Sequence, residues 1–135
     1  MLELNDPVWS RLVTAYGDGE EAAQLLRRLS TDAEDAGLRQ ELFELLLHQD
    51  TTYSATLAAM PYLAKMAERT EDMETLVDLY ISCGWMESGR EQGADRLDIP
   101  SSGEFRRERQ FRLSDEVISR ISEGYRDALE RLSRL

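Results

Sequence analysis

The chain has 135 residues, 41% hydrophobic and 32% charged, the balance of one globular domain rather than of a disordered polymer. Its formal net charge of -11 argues against binding a nucleic acid backbone or an anionic membrane surface, and is compatible with a basic protein partner. The single cysteine, Cys83, excludes an internal disulfide framework and a multi-cysteine metal site.

The opening MLELNDPVW has no basic n-region and no apolar h-region, so no signal peptide is expected. No apolar run approaches the roughly 20 residues that span a bilayer, and the expectation is a soluble, cytoplasmic protein. Asn5-Asp6-Pro7 reads as a helix start, with Asp6 as cap and Pro7 at the first helical position. Trp9, Leu12, Val13 and Tyr16 then recur at helical spacing, and Gly17 and Gly19 end that helix. Glu20 and Glu21 open a second helix whose buried stripe is Ala22, Leu25, Leu26 and Leu29. Ser30 to Gly37 is a polar connector.

A third helix begins near Leu38, and its stripe of Leu38, Leu42, Leu45 and Leu46 is widened by Phe43 and Leu47. A face this broad suits two neighbours. His48-Gln49-Asp50 forms a joint, after which Thr51 or Thr52 caps a fourth helix rich in alanine. Pro61 lies inside that pattern, removes a backbone donor and crowds the carbonyl of Leu57, so a kink or break is expected before it. A fifth helix follows Thr70, with Glu71 and Asp72 in its first turn. Met73, Leu76, Val77 and Tyr80 mark its buried face, and Cys83, Gly84 and Trp85 close it. Residues 87–113 lack helical periodicity and read as a long irregular segment before the last helix. Ser114-Asp115-Glu116 caps that helix, whose stripe runs Ile118, Ile121, Tyr125, Ala128, Leu129, Leu132 and Leu135. Gly124 within it allows close packing. The expected fold is therefore all-α, a single domain over 1–135 with about six helices in antiparallel pairs, arranged as a small solenoid or bundle.

A search for chemistry leaves no enzyme constellation. His48 is the lone histidine and, with Asp50 or Glu44 as orienter, is the only candidate base; the simpler reading is a joint residue whose ring bonds a backbone carbonyl. The pairs Glu41/Glu44 and Glu71/Glu74 lack the Glu-x-x-His partner of di-iron bundles, and HEXXH is absent. No catalytic residue, metal or cofactor is expected. The arginines 106, 107, 109 and 112, flanked by Phe105 and Phe111, read as partners for the chain's own acids. Two features remain. Acids gather at Glu71, Asp72, Glu74 and Asp78 and again at Glu87, Glu91, Asp95 and Asp98, and the aromatic residues Trp85 and Phe105 stand at the edges of the long segment. Aromatic anchors ringed by acids would steer and hold a basic protein. The expected partner-binding residues are Glu71, Asp72, Trp85, Glu87, Glu91, Asp95, Asp98 and Phe105.

The stretch LLLHQDTTYSATLAAMPYL, residues 45–63, resembles a pattern in small HEAT-like helical proteins of bacteria. There a leucine-rich helix end and a His-Gln joint precede Tyr-x-Ala-Thr, then an alanine-rich turn with proline and an apolar pair. Trp9, Leu12 and Ala15-Tyr16-Gly17 resemble the opening of such chains, and the match covers residues 8–68. Proteins of this kind look like immunity proteins for toxins and effectors of polymorphic toxin and secretion systems, type VI secretion among them. The resemblance implies a protein that binds one cognate toxin and covers its active site. It also implies that His48, Tyr53, Thr56 and Pro61 hold the joint rather than touch the toxin. A HEAT-like adaptor or effector chaperone is the alternative.

Overall fold

A computed structural model describes residues 1–49, 51–92 and 113–135. The chain is predominantly helical, as the all-α reading expects. Among the described residues it has one 3₁₀ helix, Pro7–Arg11, and five α-helices: α1 Glu20–Leu29, α2 Ala36–Leu46, α3 Ser54–Arg69, α4 Met73–Gln92 and α5 Asp115–Ser133. Two-residue strands, β1 Leu47–His48 and β2 Thr51–Thr52, pair antiparallel between α2 and α3 with Leu47 opposite Thr52.

α3 sits at the centre, packed most extensively on α5 and also on α1 and α4, while α2 rests on α1 and α4. Its alanines make this possible. Ala55, Ala58, Ala59, Ala64 and Ala67 are all buried, and small side chains let several helices approach one axis. Leu26, Leu42, Leu46, Leu63, Leu79 and Ile121 fill the space between helices, each fully or almost fully buried. Caps fix several helix starts. Asp35 accepts from Leu38 N–H at 3.1 Å, Asp72 from Thr75 N–H at 2.9 Å and Ser114 from Val117 N–H at 3.3 Å.

Four expectations are corrected. The first helix is only the 3₁₀ turn, and from Leu12 the chain is extended and tied to distant elements. Val13 N–H donates to Ser54 Oγ at 2.8 Å, Ala55 N–H to the Val13 carbonyl at 3.1 Å, and Ala15 N–H to the Leu45 carbonyl at 2.8 Å. Those bonds replace the helical ones, and Tyr16 is left exposed instead of buried. The joint is a β-hairpin rather than a plain loop. Gln49 turns it in the left-handed region at φ 50°, and neither Thr51 nor Thr52 caps α3. The cap comes from inside the helix, where the Thr56 hydroxyl accepts from Tyr53 N–H at 3.0 Å and donates to the Leu46 carbonyl at 2.5 Å. Pro61 does not interrupt α3, which continues to Arg69. Its ring is buried and faces Gly124 of α5, where an added Cβ would lie 3.2 Å from Pro61 Cγ, so tertiary packing compensates the lost backbone bond. Finally, α4 runs on past Trp85 to Gln92, taking in the first residues of the segment read as irregular.

Candidate partner-binding face

α4 carries apolar residues on both sides. Its inner side buries Thr75, Leu79, Cys83 and Met86 against the core. Its outer side presents Met73, Val77, Tyr80, Ile81 and Trp85, with Met73 69% and Trp85 66% exposed. Residues 73, 77, 81 and 85 are four apart, so they form one ridge about 18 Å long at 1.5 Å per residue. Of the face expected to be buried, only Leu76 turns partly inward to pack on the core; Met73, Val77 and Tyr80 point out. The sequence carries two interleaved stripes at helical spacing, and the inner one is covered because Thr75 and Asp78 engage α2.

That engagement centres on Arg39 of α2. The guanidinium is buried, and its Nε donates to Asp78 Oδ2 at 2.7 Å. Its Nη1 donates to the Ala33 carbonyl at 2.6 Å and to Thr75 Oγ1 at 3.3 Å. A buried cation is stable only when paired and hydrogen-bonded, and Arg39 is both. Asp78, grouped in the sequence with the acids available to a partner, is therefore committed to the fold. Asp72 caps α4, and two hydrogen bonds from Thr75, side chain then backbone, hold its carboxyl below the ordinary value of 3.8, with Arg39 adding to the effect.

The other residues singled out in the sequence lie as follows. Glu71 is exposed just before α4, and Trp85 is on the outer ridge. Glu87 is half-buried and accepts a hydrogen bond from Tyr125 of α5. The side chain of Glu91, together with Asp95, Asp98, Phe105 and the arginine cluster 106–112, lies outside the described residues. Trp85 therefore shares α4 with Glu74, and Glu71 lies just before its first turn, whereas Glu87 faces α5. Sequence reasoning missed Met73, Val77, Tyr80 and Ile81 as surface residues. The signal available was the apolar character of α4 around most of its circumference, which a helix with one covered side does not need.

At the joint, Thr56 is fully buried and Tyr53 half-buried. His48 is exposed, and its Nδ1 lies 3.4 Å from the Tyr16 hydroxyl with the rings edge to face at 5.6 Å. The expected carbonyl partner for the ring is thus a phenol instead. Burial pushes the Cys83 thiol up to about 12, which keeps it protonated and unreactive. Burial, with Glu3 nearby, likewise pushes Tyr62 up to about 12, and its hydroxyl donates to the Leu2 carbonyl. Among the described residues no group of three metal-ligating side chains is brought together, and no helix is long and apolar enough to cross a membrane.

Comparison with protein families, with curated proteins and with solved structures returns no match to this chain.

Proposed function

We propose that this chain is a HEAT-like immunity protein that binds a cognate bacterial toxin and neutralises it by covering its active site. The observation that carries the reading is the outer ridge of α4, five large apolar side chains exposed on one helix face. Large apolar patches on a folded surface mark interaction sites. The resemblance of residues 45–63 to small HEAT-like immunity proteins supplies the kind of partner, and the net charge of -11 favours a basic one. On this reading the work is done by occlusion, and no side chain of the chain acts as an acid, base or nucleophile.

Co-expression with the toxin encoded beside this gene is the test. Growth is the expected result, and continued killing overturns the proposal. Assaying the toxin in the purified complex separates an inhibitor from an adaptor, since an adaptor would bind and leave the activity intact. Protection by a His48→Ala chain equal to that of the parent is expected, because His48 has no chemical part in occlusion.

A further inference from the structure

The segment Met1–Leu4 belongs to no helix or strand, yet each of its backbone carbonyls is taken by a side chain. Arg120 of α5 donates to the Met1 carbonyl at 3.5 Å, and Tyr62 of α3 donates to the Leu2 carbonyl. The Trp9 indole donates to the Glu3 carbonyl at 2.9 Å, and Arg27 of α1 to the Leu4 carbonyl at 2.7 Å. Donors from four separate elements therefore hold four consecutive peptide units. Leu2 is the anchor, 1% exposed, with half-buried Leu4 packed nearby and with Met1 and Glu3 exposed on either side. α5 leaves room for the segment at Gly124, where a Cβ would lie 3.4 Å from Met1 Cα.

The backbone donors of the segment behave differently. No N–H of Leu2, Glu3 or Leu4 donates to another described residue, so no ladder or helical turn ties the segment to the helices. The helices it crosses do not depend on it, because α3 packs directly on α5 and on α1. Arg27 also holds Glu20 at 3.3 Å, and Trp9 also packs on the Tyr62 ring with centroids 6.5 Å apart, contacts that survive without the segment. Few buried contacts and no backbone pairing mark a region that opens well below the free energy of global unfolding. The four bonds are nevertheless linked. Consecutive Cα atoms are about 3.8 Å apart, so moving Leu2 out of its site draws the neighbouring carbonyls away from their donors.

We propose that Met1–Leu4 is a latch that opens and closes as one unit while the helices stay folded. Closed, it caps the Trp9 indole N–H and ties α1, α3 and α5 together. Open, it bares the four donors and the site of Leu2. The latch does not rest on the protein-binding reading above, and its failure would leave that reading untouched.

The test is hydrogen exchange of the whole chain, followed by NMR. The Trp9 indole N–H reads the latch, because its bond is to the Glu3 carbonyl; Trp85, 66% exposed, supplies the fast indole signal from which it is told apart. The amide of Ala59, buried in the middle of α3, reads global unfolding. The Trp9 indole should be at least about tenfold less protected than the Ala59 amide, and its exchange should depend little on added urea, since opening the latch exposes little surface. Tyr62→Phe removes one donor and should speed the indole about fivefold. Arg27→Met removes the donor on the far side of Glu3 from Met1 and should speed it by a similar factor. Leu79→Ala loosens the packing of α4 and should speed Ala59 but leave the indole unchanged. An indole that follows Ala59 across the urea series, or that Leu79→Ala speeds equally, overturns a latch that moves alone. An indole unmoved by Arg27→Met overturns opening as a unit, in favour of fraying from the Met1 side. An indole of Trp9 as fast as that of Trp85 overturns the closed latch itself.

Discussion

α3 and α4 are consecutive, pack on each other, and are both apolar around most of their circumference, yet one is enclosed and the other is half bare. Twelve of the sixteen residues of α3 are buried. The difference lies in size more than in polarity. The outward sides of α3 carry alanines, so α1, α4 and α5 all approach its axis. The outward side of α4 carries Met73, Val77, Tyr80, Ile81 and Trp85, which hold neighbours off and match no element of the described fold. Small apolar residues let neighbouring helices close over them, while large ones left in a row on the outside make the kind of patch found at interaction surfaces.

The contrast is broken most directly by paired truncations. Leu63→Ala removes a fully buried side chain of α3 and should cost about 3 kcal/mol in urea unfolding. Trp85→Ser removes a larger one from α4 and should change stability by no more than about 0.5 kcal/mol. A comparable loss at both positions would show that the outer ridge is packed after all. The inner side of α4 is the next point to press. Asp78→Ala strips the carboxylate from a guanidinium only 5% exposed and should cost about 2 kcal/mol. Adding Arg39→Met should recover most of that loss, because an apolar side chain then fills the space of the orphaned cation. Gly124→Val forces a Cβ towards Pro61 and should cost about 1–2 kcal/mol, whereas Gly84→Val is free of that clash and should be neutral or slightly stabilising, since valine is a better helix former than glycine.

The smallest effect is in acid. The folded Asp72 carboxyl titrates below 3.8 and the unfolded one near it, so its capping contribution is complete above that value and fades as the pH falls through the folded pKa. Asp72→Asn should flatten the acid limb of a stability-against-pH profile in that window and leave the neutral plateau nearly level. A limb of unchanged slope would place the acid sensitivity elsewhere.

Most of the helices could be read from the residues, because their signals are local. The leucine stripe of α2, the Ser114 cap and the stripe of α5 at Ile121, Tyr125, Ala128 and Leu132 each reflect contacts one turn apart. What could not be read depends on partners far away in the chain. Trp9, Leu12, Val13 and Tyr16 have helical spacing, but Ser54 and Leu45 offer the backbone groups of Val13 and Ala15 better bonds than the next turn would. Pro61 looks like a breaker until Gly124, sixty-three positions later, supplies a surface for its ring. The face that α4 turns inward differs from the expected one for a related reason. Two apolar stripes share one helix, and only the meeting of Arg39 with Asp78 and Thr75 decides which of them turns inward. Of the acids expected to receive a partner, Asp72 and Glu87 have internal bonds that no spacing rule announces, and so does Asp78 beside them.

That meeting at Arg39 has a mechanical consequence. The guanidinium pins α4 to α2 through two bonds, to Asp78 and Thr75, is itself braced by the Ala33 carbonyl, and so opposes roll of the helix about its long axis. The ridge is therefore held outward by the bonds on the opposite side of its own helix. Were a partner to dock there, as proposed above, it would meet the ridge in its final pose, and capture should proceed without a gating delay, at a speed governed by diffusion and by attraction between opposite charges.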